Sequence, residues 1–170
     1  MKKVVLTFGF ISGAVSSILM LATVPFLDRI GFDYGVFIGY TAMVISFLFV
    51  FFGVRAYREQ SGGGQFSFGR GFKVGILITL ISCVCYVVTW EIIYFKLWPG
   101  FFDSYSAYAI EKARASGATQ QAIDQTAAQM KTFKELYDRP LINAALAFIE
   151  PLPVGLLVTL VSAAVLRRKE

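Results

Sequence analysis

Apolar and polar residues are segregated along this chain in four long blocks. Predominantly apolar runs cover 4–27, 36–54, 74–98 and 141–166. Each is long enough to cross about 30 Å of hydrocarbon as a helix. None shows the alternation over about ten residues that marks a membrane barrel strand. Lipid offers backbone groups no partners, so a helix is the forced conformation. The pattern therefore predicts an all-α membrane protein, a single four-transmembrane-helix bundle occupying 1–170.

The polar connections differ in kind. The first, Asp28 to Gly35, is short enough for a tight turn. The second, 55–73, carries Arg55, Arg58, Arg70 and Lys73 against Glu59, and includes the flexible run Ser61-Gly62-Gly63-Gly64. The third, 99–140, is long and mixed in charge. Pro99-Gly100 ends the third span there, and Asp103 to Ala115 reads as a helix with an acid in its first turn. Ser116-Gly117-Ala118 reads as a turn and Thr119 as an N-cap. From Gln120 to Tyr137, the positions Ile123, Ala127, Met130, Phe133 and Tyr137 fall at helical spacing. Two such helices are too small for a core of their own, so a helical hairpin between spans 3 and 4 is expected to lean on the span ends or on the bilayer.

Charge sets the orientation. Lys2, Lys3, Arg55, Arg58, Arg70, Lys73, Arg167, Arg168 and Lys169 all fall on one side, and the opposite short loop has Arg29 alone. Under the positive-inside rule both termini and the 55–73 loop are cytoplasmic, and the 99–140 hairpin is extracytoplasmic. The net charge of +5 is thus a topology signal and gives no reason to expect nucleic acid. The apolar run from Val4 to Ala22 exceeds the about 7–15 residues of a signal-peptide core, so it reads as an uncleaved first span. Composition agrees: 56% of residues are hydrophobic and 16% charged, too apolar for a soluble domain of this size.

Small residues recur every four positions. Gly9, Gly13 and Ser17 do so in the first span, Gly31, Gly35 and Gly39 at the second, Gly71, Gly75 and Thr79 in the third, and Gly155, Thr159 and Ala163 in the fourth. Such stripes let helix backbones approach closely in lipid. Packing within one chain and a homo-oligomer face are both open uses of them. In the third span, Tyr86, Trp90, Tyr94 and Trp98 also repeat every four residues, which suits an interfacial aromatic belt better than a cofactor slot.

The chemical inventory is thin. The chain has no histidine, and Cys83 and Cys85, two apart in an apolar run, point to different sides of a helix. No metal site, cofactor or catalytic motif is expected, and the chain is not expected to be an enzyme. Two acids interrupt the spans. Glu91 lies about 10 Å before Trp98 and Glu150 about 13 Å after Leu141 along their helices. In antiparallel spans they reach similar depth and would meet in one polar pocket. Carboxylates at that depth mark functional sites or hydrogen-bonded structural ones. Glu150 opens Glu150-Pro151-Leu152-Pro153, where each proline frees a carbonyl. Glu91, Glu150, Pro151, Pro153 and Tyr94 are the candidate intramembrane polar site. Phe68, Arg70, Phe72 and Lys73 are a candidate interfacial elbow for anionic lipid.

Several runs carry a resemblance. Phe68-Gly69-Arg70-Gly71-Phe72-Lys73 leads into a span, Ser116-Gly117-Ala118 turns the outer hairpin, Phe148-Ile149-Glu150-Pro151-Leu152-Pro153-Val154-Gly155-Leu156 forms one block, and Leu166-Arg167-Arg168-Lys169 ends the chain. Together they resemble an uncharacterised bacterial membrane family catalogued as domain of unknown function 4199. The resemblance implies a four-span inner-membrane protein and supplies no activity or catalytic residue. The leading expectation is a non-enzymatic scaffold in the lipid bilayer that binds a protein partner or lipid, with the outer hairpin as contact surface. The alternative is a small transporter, or a subunit of one, using Glu91 and Glu150 for a proton or cation.

Overall fold

A computed structural model describes residues 1–61 and 66–168, with Asp28 described for its backbone alone. Gly62-Gly63-Gly64 of the expected flexible run, and Lys169 and Glu170 of the basic tail, lie outside the described residues. Among the described residues the protein is all-helical. The elements are α1 (Lys2–Thr23), a 3-10 turn (Val24–Phe26), α2 (Leu27–Ile30), α3 (Phe32–Gln60), α4 (Phe68–Ile92), a π turn (Ile93–Leu97), α5 (Phe101–Ala115), α6 (Gln120–Tyr137), α7 (Pro140–Ile149) and α8 (Leu152–Leu166). Among the described residues, four helical stretches are long and apolar enough to cross a membrane: Lys2–Phe26, Phe32–Gln60, Phe68–Leu97 and Pro140–Leu166.

Two of these run past the apolar blocks. α3 continues through Arg55 to Gln60, where the Arg55 Nε–Glu59 Oε1 pair at 2.9 Å supports one more turn at i,i+4 spacing. α4 begins at Phe68, so the expected 55–73 loop is largely helical at both ends. Gly31 separates α2 from α3 with φ of 86°, a conformation that a β carbon would strain.

The chain divides into two compact units. The first comprises Met1–Thr89 and the chain from Ala147 onward. Its core is built on Phe47, Val50, Val54, Val74 and Ile78, all at most 2% exposed. The size order of a soluble core is reversed around it. Ser12, Ser46, Ser82, Thr79 and Thr159 are buried, while Phe37, Leu157 and Val165 are exposed. Large apolar side chains facing outward are what an acyl-chain solvent calls for.

Helix directions follow from which residues touch. Gly9 abuts Ile81 and Gly13 abuts Cys85, so α1 and α4 run parallel. Gly71 meets Ala163, Gly75 meets Thr159 and Gly155 meets Thr79, so α4 and α8 run antiparallel. The small-residue stripes of the third and fourth spans are thus one another's counterparts.

The second unit is Trp90–Leu146. Here α5 and α6 are joined by a short turn in which Gly117 has φ of 76°. Thr119 caps α6, its hydroxyl oxygen accepting from Ala122 N at 3.3 Å. Phe102 and Tyr137 stack obliquely with centroids 5.3 Å apart, and Lys134 pairs with Asp103. That partner raises the Lys134 pKa above its ordinary value, first through the hydrogen bond and then through the charges of Asp103 and Asp138.

Candidate functional site

The buried polar groups of the first unit form a seam of hydroxyls. Ser12 Oγ donates to Ser46 O at 2.8 Å and lies 2.9 Å from Ser82 Oγ. Thr89 Oγ1 donates to Ser17 Oγ at 2.7 Å. Thr79 Oγ1 lies 3.0 Å from Thr159 Oγ1 and 3.3 Å from Gly155 O. Each hydroxyl is small enough to fit where backbones approach, and each satisfies its hydrogen bond across or along a helix. Gly155 is central to this. A β carbon there would stand 2.4 Å from Thr79 Cγ2 and 2.9 Å from the Phe47 ring.

Of the small residues singled out in the sequence, Gly9 and Gly13 lie against α4. Gly35 faces the end of the Leu27 side chain. At Gly31 and Gly39 a β carbon would meet nothing within 4 Å among the described residues, so neither supports close helix approach here. Gly31 serves the turn instead.

Glu150 stands at the break between α7 and α8. Pro151 and Pro153 deprive the carbonyls of Ala147 and Ile149 of their usual i+4 donors. Tyr86 OH, from α4, donates to Glu150 Oε2 at 3.0 Å. Pro151 is fully buried, whereas Glu150 is exposed at the protein surface. The hydrogen bond therefore joins two spans in the first unit, with a carboxylate as acceptor and freed carbonyls beside it.

Glu91 and Tyr94 belong to the second unit. Tyr94 does not serve a glutamate: its hydroxyl donates to Asp138 Oδ1 at 2.9 Å, and its ring is buried. Glu91 Oε1 is buried and has no hydrogen-bond partner among the described residues. Sequence reasoning missed Asn143. It is fully buried, accepts from Trp90 Nε1 at 2.8 Å and donates from Nδ2 to Tyr137 O at 2.8 Å. The visible signal was an isolated amide in an apolar run. The aromatic repeat is interrupted by the π turn, where Trp98 N donates to Ile93 O at 2.7 Å, so Trp98 leaves the helical register of Trp90 and Tyr94. Trp90 instead meets Phe101 edge-on, with centroids 5.0 Å apart.

At the elbow, Phe68 and Phe72 stack with centroids 6.1 Å apart, and Arg70 and Lys73 are exposed. Cys83 and Cys85 are free thiols.

A family model described as "Protein of unknown function (DUF4199)" matches residues 7–168, nearly the whole chain. The chain belongs to this DUF4199 family. No curated protein and no solved structure matches it. Membership in DUF4199 carries no activity with it, so any function is argued from the arrangement of its own residues.

Proposed function

We propose that this DUF4199 member is a non-enzymatic scaffold of the bacterial inner membrane. In this reading the four spans form one bundle, both termini are cytoplasmic, and the 99–140 segment is an extracytoplasmic helical hairpin that docks a protein partner. The observation that carries the reading is the internal bracing of α5 and α6. Asp103–Lys134 and Phe102–Tyr137 hold them together through their own side chains, and Thr119 caps the start of α6, while Phe133 remains 48% exposed on α6. A preformed pair of helices with an exposed aromatic side chain has little to lose in ordering when a partner binds. A photo-crosslinking residue at Phe133 should give a discrete protein adduct in intact cells, and the same residue at lipid-facing Val161 should not. Lipid adducts alone at both positions would refute the reading.

The Tyr86–Glu150 hydrogen bond at a proline-broken helix favours a second reading, a small transporter or transporter subunit. Broken helices with freed carbonyls and a carboxylate are a means of holding a proton or a hard cation at membrane depth. Reconstituted protein would then show ion-coupled flux that Glu150→Gln and Glu91→Gln each reduce. Flux indifferent to both changes would reject it.

A further inference from the structure

Cations gather where the third span begins and the fourth ends. Arg70 and Lys73 lie in the first turns of α4, and Arg167 and Arg168 follow α8. The structure joins these distant segments. Arg168 N donates to Phe66 O at 3.0 Å in an isolated antiparallel bridge. Phe66 is a firm anchor for that bridge. It is 1% exposed, meets Tyr57 edge-on with centroids 6.2 Å apart, and covers Gly71. Arg58 Nη1 adds a long hydrogen bond of 3.5 Å to Leu166 O.

Among the described residues the resulting patch lacks a counter-charge. Arg70, Lys73, Arg167 and Arg168 are exposed, and among the described residues none has an acidic partner. Glu59, the acid on the described part of these segments, is engaged by Arg55. Like charges on segments joined in this way favour an anion among them. Beside them the stacked rings of Phe68 and Phe72 open an apolar helix, with Phe68 40% exposed. A ligand matching both features has an anionic head and an apolar tail. The span ends restrict it to the level of the bilayer surface, which disfavours nucleic acid and soluble acidic peptides.

We infer that Arg70, Lys73, Arg167 and Arg168, assembled by the Phe66–Arg168 bridge, bind the phosphate headgroup of an anionic phospholipid whose acyl chain lies along Phe68 and Phe72. The site is independent of the outer hairpin and of the partner proposed for it.

The test uses the full chain in nanodiscs of phosphatidylcholine containing a minority of phosphatidylglycerol. The readout is the enrichment of phosphatidylglycerol in lipid that stays with the extracted protein, measured by mass spectrometry. A surface cation contributes about fivefold to attraction for an anionic leaflet. Enrichment should therefore fall by more than about tenfold in R70Q/R168Q. It should persist in R70K/R168K, and in R29Q/K131Q, which removes two exposed cations elsewhere. Unchanged enrichment in R70Q/R168Q would overturn the site, as would an equal loss in R29Q/K131Q. Inorganic phosphate that stabilises the protein in pure phosphatidylcholine as well as phosphatidylglycerol does would replace the lipid with a free anion.

Discussion

Gly155→Ala probes the tightest contact between the third and fourth spans. The added β carbon would be placed 2.4 Å from Thr79 Cγ2 and 2.9 Å from Phe47 Cε1 and Cζ. Neither neighbour yields easily. Thr79 is fully buried and holds its hydrogen-bonding contacts with Gly155 O and Thr159 Oγ1, and Phe47 is 2% exposed. Either α8 backs away or Thr79 rotates and gives up those contacts. Overpacking costs about 1–3 kcal/mol, and each interhelical hydrogen bond lost in a membrane adds about 0.6 kcal/mol. Alanine's better helix propensity returns up to about 1 kcal/mol. The net expectation is a loss of about 1–3 kcal/mol. Gly39→Ala is the matched control, because nothing lies within 4 Å of its β position. It should be neutral or slightly stabilising. Both are measured by reversible unfolding in mixed micelles with increasing dodecyl sulfate, followed by circular dichroism. A Gly155→Ala protein as stable as wild type, or a Gly39→Ala protein equally damaged, would refute the close-packing argument.

Two further outcomes follow from the second unit. Asn143→Leu removes the acceptor of the Trp90 indole N–H and the amide that donates to Tyr137 O, and should cost about 1–3 kcal/mol; the same unfolding assay checks this, and tryptophan emission that does not change would contradict the Trp90 bond. The Asp103–Lys134 pair raises the lysine's folded pKa, so its contribution is full below the ordinary lysine range and is lost as pH rises through the raised value. Asp103→Asn should therefore flatten the alkaline decline in stability, by a small amount for so exposed a pair, and a decline of unchanged steepness would count against the pair's role.

Much of this architecture is written locally. Apolar blocks announce the spans, and Thr119 and Gly117 announce the turn into α6, because lipid solvation and capping act on neighbouring residues. Contacts between distant residues are another matter. The stripes at Gly71, Gly75 and Thr79 and at Gly155, Thr159 and Ala163 are each visible alone, yet only three dimensions show that they face one another. Tyr86 as the partner of Glu150, and Asp138 as the partner of Tyr94, depend on register between helices, which no single-chain spacing reveals. Spacing also misleads where geometry changes. Gly31 repeats in step with Gly35 and Gly39 but turns the chain, and the π turn breaks the Tyr86–Trp98 repeat. Phe66 reads as a loop residue, yet it is almost wholly buried because the chain after α8 returns to it.

The discontinuity of the first unit has a consequence for biogenesis. Its α4 surface is completed by α8, which is synthesised only after the whole second unit. Until then Gly71, Gly75 and Thr79 are without the α8 residues that cover them in the full chain. A half-made chain therefore carries a narrow-waisted groove whose Thr79 hydroxyl is still without the Gly155 O and Thr159 Oγ1 contacts of the finished protein.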